Sequence, residues 1–382
     1  MSRAGPILLC IVIAGFLLWL ELQTHHPTVK EGSIALSDVL GGGGENFERV
    51  TGPVPLRFPA DHGRHDAYRN EWWYFTGNLE SADGRRFGFQ YTLFRFKLGD
   101  TQSSGSDWDS EHLWMAHFAV SDLANQQFHS EERFARDALG LAGATTERWW
   151  LGSWRVDALN PGWQLEVMAD SMGLRLDLVP VREKVLQGRE GFSRKGPEPG
   201  QASLYYSHTR LNASGQLSVG DWSGQVSGLA WLDREWGSGQ LDDSLAGWDW
   251  FALHLDDGRD LMVYRLRRLD GSASEFSAGA LVWPDGRFRI LQSGDFTTRS
   301  RRRWRDQEGV EWPLAWRIEV PDHGIDLIVD AAFDKQRWRA SVPYWEGMVD
   351  IREGRGERVV GHGYMELSGY ADRPGQARNR PR

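Results

Sequence analysis

Trp72-Trp73-Tyr74-Phe75-Thr76-Gly77-Asn78-Leu79, followed by Asp83-Gly84-Arg85, recurs later as Trp248-Asp249-Trp250-Phe251-Ala252-Leu253-His254-Leu255, followed by Asp257-Gly258-Arg259. Both stretches read as strand, turn, strand: aromatic and β-branched residues suit a pleated surface, and Asp-Gly supplies the positive φ of a tight hairpin. The echo continues in the same order. Trp154-Arg155-Val156 has a counterpart in Trp316-Arg317-Ile318, and Gly173-Leu174-Arg175-Leu176 in Gly324-Ile325-Asp326-Leu327. Tyr205-Tyr206, followed by Gly228-Leu229-Ala230-Trp231-Leu232, returns as Tyr344-Trp345, followed by Gly361-His362-Gly363-Tyr364-Met365. Order kept over this length marks a duplication. The body lacks a sustained 3.6-residue apolar period, so the predicted fold class is all-β, with two tandem antiparallel β-barrel domains related by internal duplication.

The boundaries are expected at residues 47–240 for the first domain and 241–372 for the second, with a basic tail over 373–382. Residues 24–46, which include Gly41-Gly42-Gly43-Gly44, read as a flexible linker. Ahead of it, residues 1–23 hold an apolar run from Ile7 to Leu20 behind Arg3, the pattern of an N-terminal signal anchor or signal peptide. No small-x-small cleavage pair follows, so an uncleaved anchor is expected, with a periplasmic or otherwise extracytoplasmic body tethered to the inner membrane.

Composition narrows the partners. With 382 residues, 40% hydrophobic and 25% charged, the chain is long enough for two cores, and a formal charge of -9 disfavours nucleic acid. Cys10 is the only cysteine and lies in the apolar run, which excludes a disulfide or thiol redox chemistry in the body. The 20 Trp against 9 Tyr exceed what core packing calls for, and rigid rings suit a pocket for an apolar small molecule. Trp72, Tyr74, Tyr206, Trp231, Trp236, Trp248 and Trp250 are the candidate ligand-binding residues.

Asp233-Arg234-Glu235, between Trp231 and Trp236, is the densest charge cluster among aromatics, and alternation points Asp233 and Glu235 to one side of a strand. If that side is an apolar cavity, burial raises a carboxyl pKa and makes a general acid, with the second carboxylate free to activate water. The competing reading is an ion pair of Arg234 with Glu71 or Asp249 that locks the two halves. Glu71 and Asp249 break the repeat, standing against Gly247 and Trp73, and so join the catalytic candidates. Of His117, His208 and His254, all in apolar strand contexts, His208 beside Tyr206 is the best-placed proton carrier.

Several chemistries are set aside. His62, His65 and Glu71 lack a second ligand group at a diagnostic spacing, so no metal is expected. There is no Gly-x-Ser-x-Gly elbow and no phosphate loop, nucleotide fingerprint or haem motif, so neither an α/β-type hydrolase nor a cofactor is expected. Arg299, Arg301, Arg302, Arg303 and Arg305 form a basic run that suits either anionic lipid or a solvated surface.

The block from Phe58 to His65, continuing through Tyr68-Arg69-Asn70-Glu71-Trp72-Trp73-Tyr74-Phe75-Thr76-Gly77-Asn78-Leu79, resembles the opening motif of the AttH/CrtC lipocalin-like family. Similar matches are Ala230-Trp231-Leu232-Asp233-Arg234-Glu235-Trp236, Gly247-Trp248-Asp249-Trp250-Phe251 and Gly363-Tyr364-Met365-Glu366-Leu367-Ser368-Gly369-Tyr370. The resemblance implies two lipocalin-like barrels packed together. The functions it implies are mixed: carotenoid 1,2-hydratases and a hydratase of plant isoflavonoids, fungal pericyclase-like enzymes, and bacterial secreted or transporter-associated proteins. It also implies an acidic residue on the Tyr264-Arg265-Leu266 strand in the hydratases, and this chain has none there. Two readings follow: an exported protein that binds an apolar, isoprenoid or lipid-like molecule beside an ABC-type transporter, or a cofactor-free hydratase. They separate on whether the carboxylates converge on an apolar cavity or are consumed by arginines such as Arg69, Arg210 and Arg234.

Overall fold

The computed structural model describes residues 47–98, 110–239, 242 and 244–371. The expected anchor, the linker and the basic tail beyond residue 371 lie outside the described residues. Among those described, no helix is long and apolar enough to cross a membrane.

Two antiparallel sheets carry the chain, which passes from one to the other between Gly237 and Leu245. They share one topology. In the first, Asn70–Ser81 lies between its hairpin partner Arg86–Lys97 and the late strand Trp222–Gly237. In the second, Leu245–Leu255 lies between Asp260–Arg268 and the late strand Val359–Ser368. The first and last strands of each half are thus neighbours, which is how a sheet curls into a barrel. The first sheet nearly closes: Arg133, on its edge strand Gln127–Arg136, sits 4.2 Å over the ring of Trp154 and donates to the Met168 carbonyl at 3.3 Å.

Alternation along the strands decides what each face does. Trp73, Phe75 and Leu79 point into the first barrel and pack with Tyr91, Trp114 and Trp154. Phe251, Leu253 and Leu255 do the same in the second, with Trp316, Ile318 and Trp345. Both barrels are filled by their own side chains.

Each carries a buried ion cluster. Glu71 takes Arg234 at 2.6 Å and Arg95 at 3.0 Å, while Arg234 also donates to the Gly63 and Trp72 carbonyls and stacks 4.0 Å over Trp73. Burial alone would raise the Glu71 carboxyl; Arg234, then His65 and Arg95, hold it far below the usual range instead. Asp249 takes Arg265 at 2.9 Å, Arg267 at 3.0 Å and the Tyr370 hydroxyl at 2.7 Å. The expected Arg234–Glu71 pair is therefore present but staples the inside of the first barrel rather than joining the halves, because residues 71 and 234 lie on its inward face. The basic run lies on the strand Thr297–Arg305, where Arg302 pairs with Asp330 and Asp334 at 2.7 Å.

The outward faces meet each other about a pseudo-two-fold axis. Arg86, just past the first Asp-Gly hairpin, reaches Asp350 at 2.8 Å, and its counterpart Asp260 is reached by Arg210 at 2.6 Å. The two equivalent hairpin positions thus each make an ion pair across the interface, with the sign of the charge exchanged. Asn78 Nδ2 donates to the Gly363 carbonyl at 3.0 Å, and the wall of Gly88 is so close that a Cβ there would stand 3.1 Å from Met348 and 3.2 Å from Tyr364. A Gly88→Leu substitution should therefore pry the barrels apart, lower stability by about 1–3 kcal/mol and speed cleavage by added protease. Gly52→Ala, with no atom within 4 Å, is the control that should leave melting and cleavage unchanged.

Candidate functional site

A cavity of about 190 Å³ lies between the barrels, not within either. Its first wall is built by register: Asp233 stands opposite Tyr74 and Glu235 opposite Trp72 on the neighbouring strand. Residues two apart on one strand share a face, about 7 Å from one another. The second wall repeats the arrangement, with Glu366 opposite both Trp250 and Glu346. Trp72, Phe94, Trp248 and Trp250 are among the apolar residues that line the space between them.

The four carboxyl groups are held differently. Asp233 accepts hydrogen bonds from Tyr205, Ser207 and, at 2.6 Å, Trp231 Nε1, yet burial pushes it up to about 6. Glu235 accepts from Ser203 and pairs with Lys195 at 3.2 Å. Lys195 lies 4.1 Å over the ring of Tyr264; burial alone would lower its ammonium, and Glu235 raises it instead. Glu366 accepts from Trp248 Nε1 at 2.7 Å, and burial, with the charges of Asp233 and Glu235 across the interface, pushes it up to about 7. Glu346 accepts from Tyr74 on one oxygen only; the other is buried with no hydrogen-bond partner, and burial beside Glu366 raises the group well above the usual range. On the second wall burial thus favours the protonated acid at Glu346 and brings the titration of Glu366 to about neutral pH.

The candidates named from the sequence divide by face. Trp72, Tyr74, Asp233, Glu235, Trp248 and Trp250 line the cavity, and Trp231 stands behind Asp233 as its donor. Glu71 and Asp249 do not reach it, since arginines consume both. Tyr206, Trp236 and His208 are also elsewhere: Tyr206 bonds His62 Nδ1 at 2.6 Å, Trp236 stacks on His65 at 3.9 Å, and burial pushes His208, packed on Trp163, down to about 3. Each lies one residue off the cavity-facing Tyr205 or Glu235, or shares the inward parity of Tyr206, and strand alternation turns it away. The test of convergence against pairing therefore gives a split answer: Asp233 and Glu235 converge, while Glu71 and Asp249 are paired.

Sequence reasoning did not name Glu346, Glu366, Lys195, Tyr205, Tyr264 and Tyr344 as site residues and weighed His117 only behind His208, yet all seven line the cavity. For two of them the signal was at hand. Extending the repeat by one residue past Leu232 and Met365 sets Glu366 against Asp233, and extending Tyr205-Tyr206 and Tyr344-Trp345 sets Glu346 against Ser207. Among the described residues no group of three or more His, Cys, Asp and Glu is arranged to hold a metal ion.

The AttH-like family model matches residues 49–370. The chain belongs to the AttH-like family. Among solved structures, an AttH protein of Nitrosomonas europaea is 34% identical, with 85% of this chain and 100% of that one covered and a TM-score of 0.76. Kievitone hydratase of Nectria haematococca shares the fold at 12% identity, covering 85% of this chain and 98% of its own, with a TM-score of 0.59. CghA with Sch210972 does so at 13% identity, 85% and 97% coverage and a TM-score of 0.53. No curated protein matches the sequence. The lipocalin-like barrels implied by the motif resemblance are thus the fold of this AttH-like protein.

Its interface acids have a consequence for stability. The Glu366 carboxyl is raised from 4.5 to about 7, so between those values the folded protein binds more protons than the unfolded chain and stability falls as pH rises. Glu366→Gln keeps an acceptor for Trp248 and removes the buried charge. It should be more stable than the parent at pH 8, by up to about 3 kcal/mol, with the gap closing by pH 4. Urea unfolding at the two pH values measures this, and a gap independent of pH would refute the assignment.

Proposed function

We propose that the interface cavity binds an apolar, unsaturated small molecule and adds water to, or removes it from, a carbon–carbon double bond by cofactor-free acid–base catalysis. The observation that carries this is Glu346. Its Oε1 is held by Tyr74, its Oε2 is buried without a hydrogen-bond partner, and burial raises its pKa, so Glu346 is held as a neutral acid among the residues that line an aromatic-walled space. An acid in that state can protonate an sp² carbon, which a carboxylate cannot. The positive charge that develops on the adjoining carbon faces the rings of Trp72, Trp248 and Trp250, which stabilise a cation through their π faces. Glu366, on the next strand and raised to about 7, is a second carboxyl able to return the proton to Glu346. That kievitone hydratase has this fold supports the reading.

A carrier is the second reading, and one observation favours it. Asp233 has its oxygens filled by Tyr205, Ser207 and Trp231, so this carboxyl is tied within the protein rather than offered to a ligand. Export and tethering to the inner membrane through Ile7–Leu20 belong to either reading and are supported by the sequence of the N-terminal run, while a place beside an ABC-type transporter rests on the family resemblance alone.

Native mass spectrometry of the full chain, purified gently from its own membranes in ¹⁸O-labelled water, decides between the two. Parent and Glu346→Gln proteins should both retain an apolar molecule, and the parent should convert it to a species heavier or lighter by one water, with the variant slower by roughly 10²–10⁴-fold. The same unmodified molecule in both proteins establishes a carrier. An empty cavity in both overturns the proposal.

A further inference from the structure

We infer that Tyr344, His117 and Glu132 form the general-base arm of the cavity, assembled from both barrels and opposed to the Glu346 acid. The Tyr344 hydroxyl meets His117 Nδ1 at 2.6 Å, and His117 Nε2 meets Glu132 Oε1 at 2.9 Å. Ser341 fixes the carboxylate in turn, its hydroxyl donating to Oε2 at 2.7 Å and its backbone N–H at 3.2 Å. A carboxylate at Nε2 selects the tautomer with hydrogen on that nitrogen, which leaves Nδ1 as the acceptor for the phenol proton. This is the carboxylate–imidazole–hydroxyl logic of activated oxygen nucleophiles, with a phenol in the hydroxyl position. Trp338 clamps the set, with its ring 4.6 Å from His117 and 5.6 Å from Tyr344.

The placement argues for more than packing. Tyr344 and His117 both line the cavity, whereas Glu132 is the outward end, with its side chain 17% exposed. The chain therefore runs from ligand space to solvent. His117 and Glu132 stand opposite each other on neighbouring strands of the first barrel, and Tyr344 opens the strand Tyr344–Glu353 of the second. Glu346 lies two residues along that strand on the same face, about 7 Å away, which leaves room for a double bond and a water between acid and base. The duplication sharpens the case. Tyr205, the counterpart of Tyr344, donates instead to Asp233, so the two related tyrosines have different acceptors, a carboxyl in one barrel and an imidazole backed by a carboxylate in the other.

This assignment rests on the acid–base reading for its use in the reaction. Water gives a proton to Tyr344 Oη as the phenol proton passes to His117 Nδ1. The hydroxide oxygen bonds to the carbon beside the one that Glu346 protonates. Glu346 is left as carboxylate and His117 as imidazolium against Glu132; one proton taken up at Glu346 and one released past Glu132 restore both.

The test needs no substrate. Benzenesulfonyl fluoride is a small apolar electrophile: Tyr344 Oη attacks sulfur as His117 takes the phenol proton, the S–O bond forms, the S–F bond breaks and fluoride leaves. Peptide mapping of the folded full chain after timed exposure should find Tyr344 sulfonylated at least roughly tenfold faster than in His117→Asn, with Glu132→Gln between the two and Tyr205 untouched. Glu132→Gln keeps the size of the side chain and carries the comparison if His117→Asn fails to fold, as thermal melting will tell. Equal labelling of Tyr344 in the parent and the folded variants, or none in the parent, overturns the assignment. Labelled Tyr344 with no water gain in the mass-spectrometric experiment keeps the base arm and removes hydration; water gain without labelling does the reverse.

Discussion

Two barrel walls pressed face to face, each presenting every second residue of its strands, are the constraint on which the rest of the molecule depends. The inward residues fill both lumens with indole and aliphatic side chains, so neither barrel retains a space of its own. The cavity described above is left where the outward faces fail to touch. The contacts at Arg86–Asp350, Arg210–Asp260 and Gly88 hold the walls together around that gap. A cavity made in this way takes its lining from both halves, which lets the acid of one barrel face the charges of the other.

The fate of each buried carboxyl is set by whether an arginine shares its side of the strand. Glu71 and Asp233 lie on paired strands of the first barrel and are both deeply buried. Glu71 meets two guanidinium groups and is held far below the usual range; Asp233 meets only neutral donors and rises to about 6. Desolvation acts on both, and the difference is the neighbouring charge. Removing Arg234 or Arg95 would strand a charge in a barrel core, whereas Glu346 in the cavity avoids that penalty by holding its proton.

The fold was legible in the sequence because its evidence is redundant. Strand pattern, Asp-Gly turns and the ordered repeat from Trp72 to Met365 all point to two like barrels. The site was legible only in part, and the reason is physical. Alternation tells which residues share a face, but it names the face only when one side is polar. Here both sides of the central strands carry aromatic residues: Trp72 and Trp73, and Tyr205 and Tyr206, alternate between interface and lumen without a change in character. Residue type alone therefore gives Tyr206, Trp236 and His208 to the ligand although they belong to the barrel side. Lys195 has no counterpart in the repeat and comes from a loop, so only the folded chain brings it to Glu235.

Duplication by itself yields a symmetric pocket, and a symmetric pocket is poorly suited to proton transfer, which needs a donor at one end and an acceptor at the other. The two halves depart from each other at the cavity in a way that supplies this. Where the first barrel has Ser207 to satisfy Asp233, the second has Glu346 beside Glu366, two acids on paired strands with little but Tyr74 and Trp248 to quiet them. Where the first barrel ties Tyr205 to a carboxyl, the second aims Tyr344 at an imidazole borrowed from its neighbour. Neither difference disturbs the strand register or the barrel cores, since all these positions lie on outward faces. The fold is thus free to vary its chemistry at the interface while the inward residues keep each barrel folded.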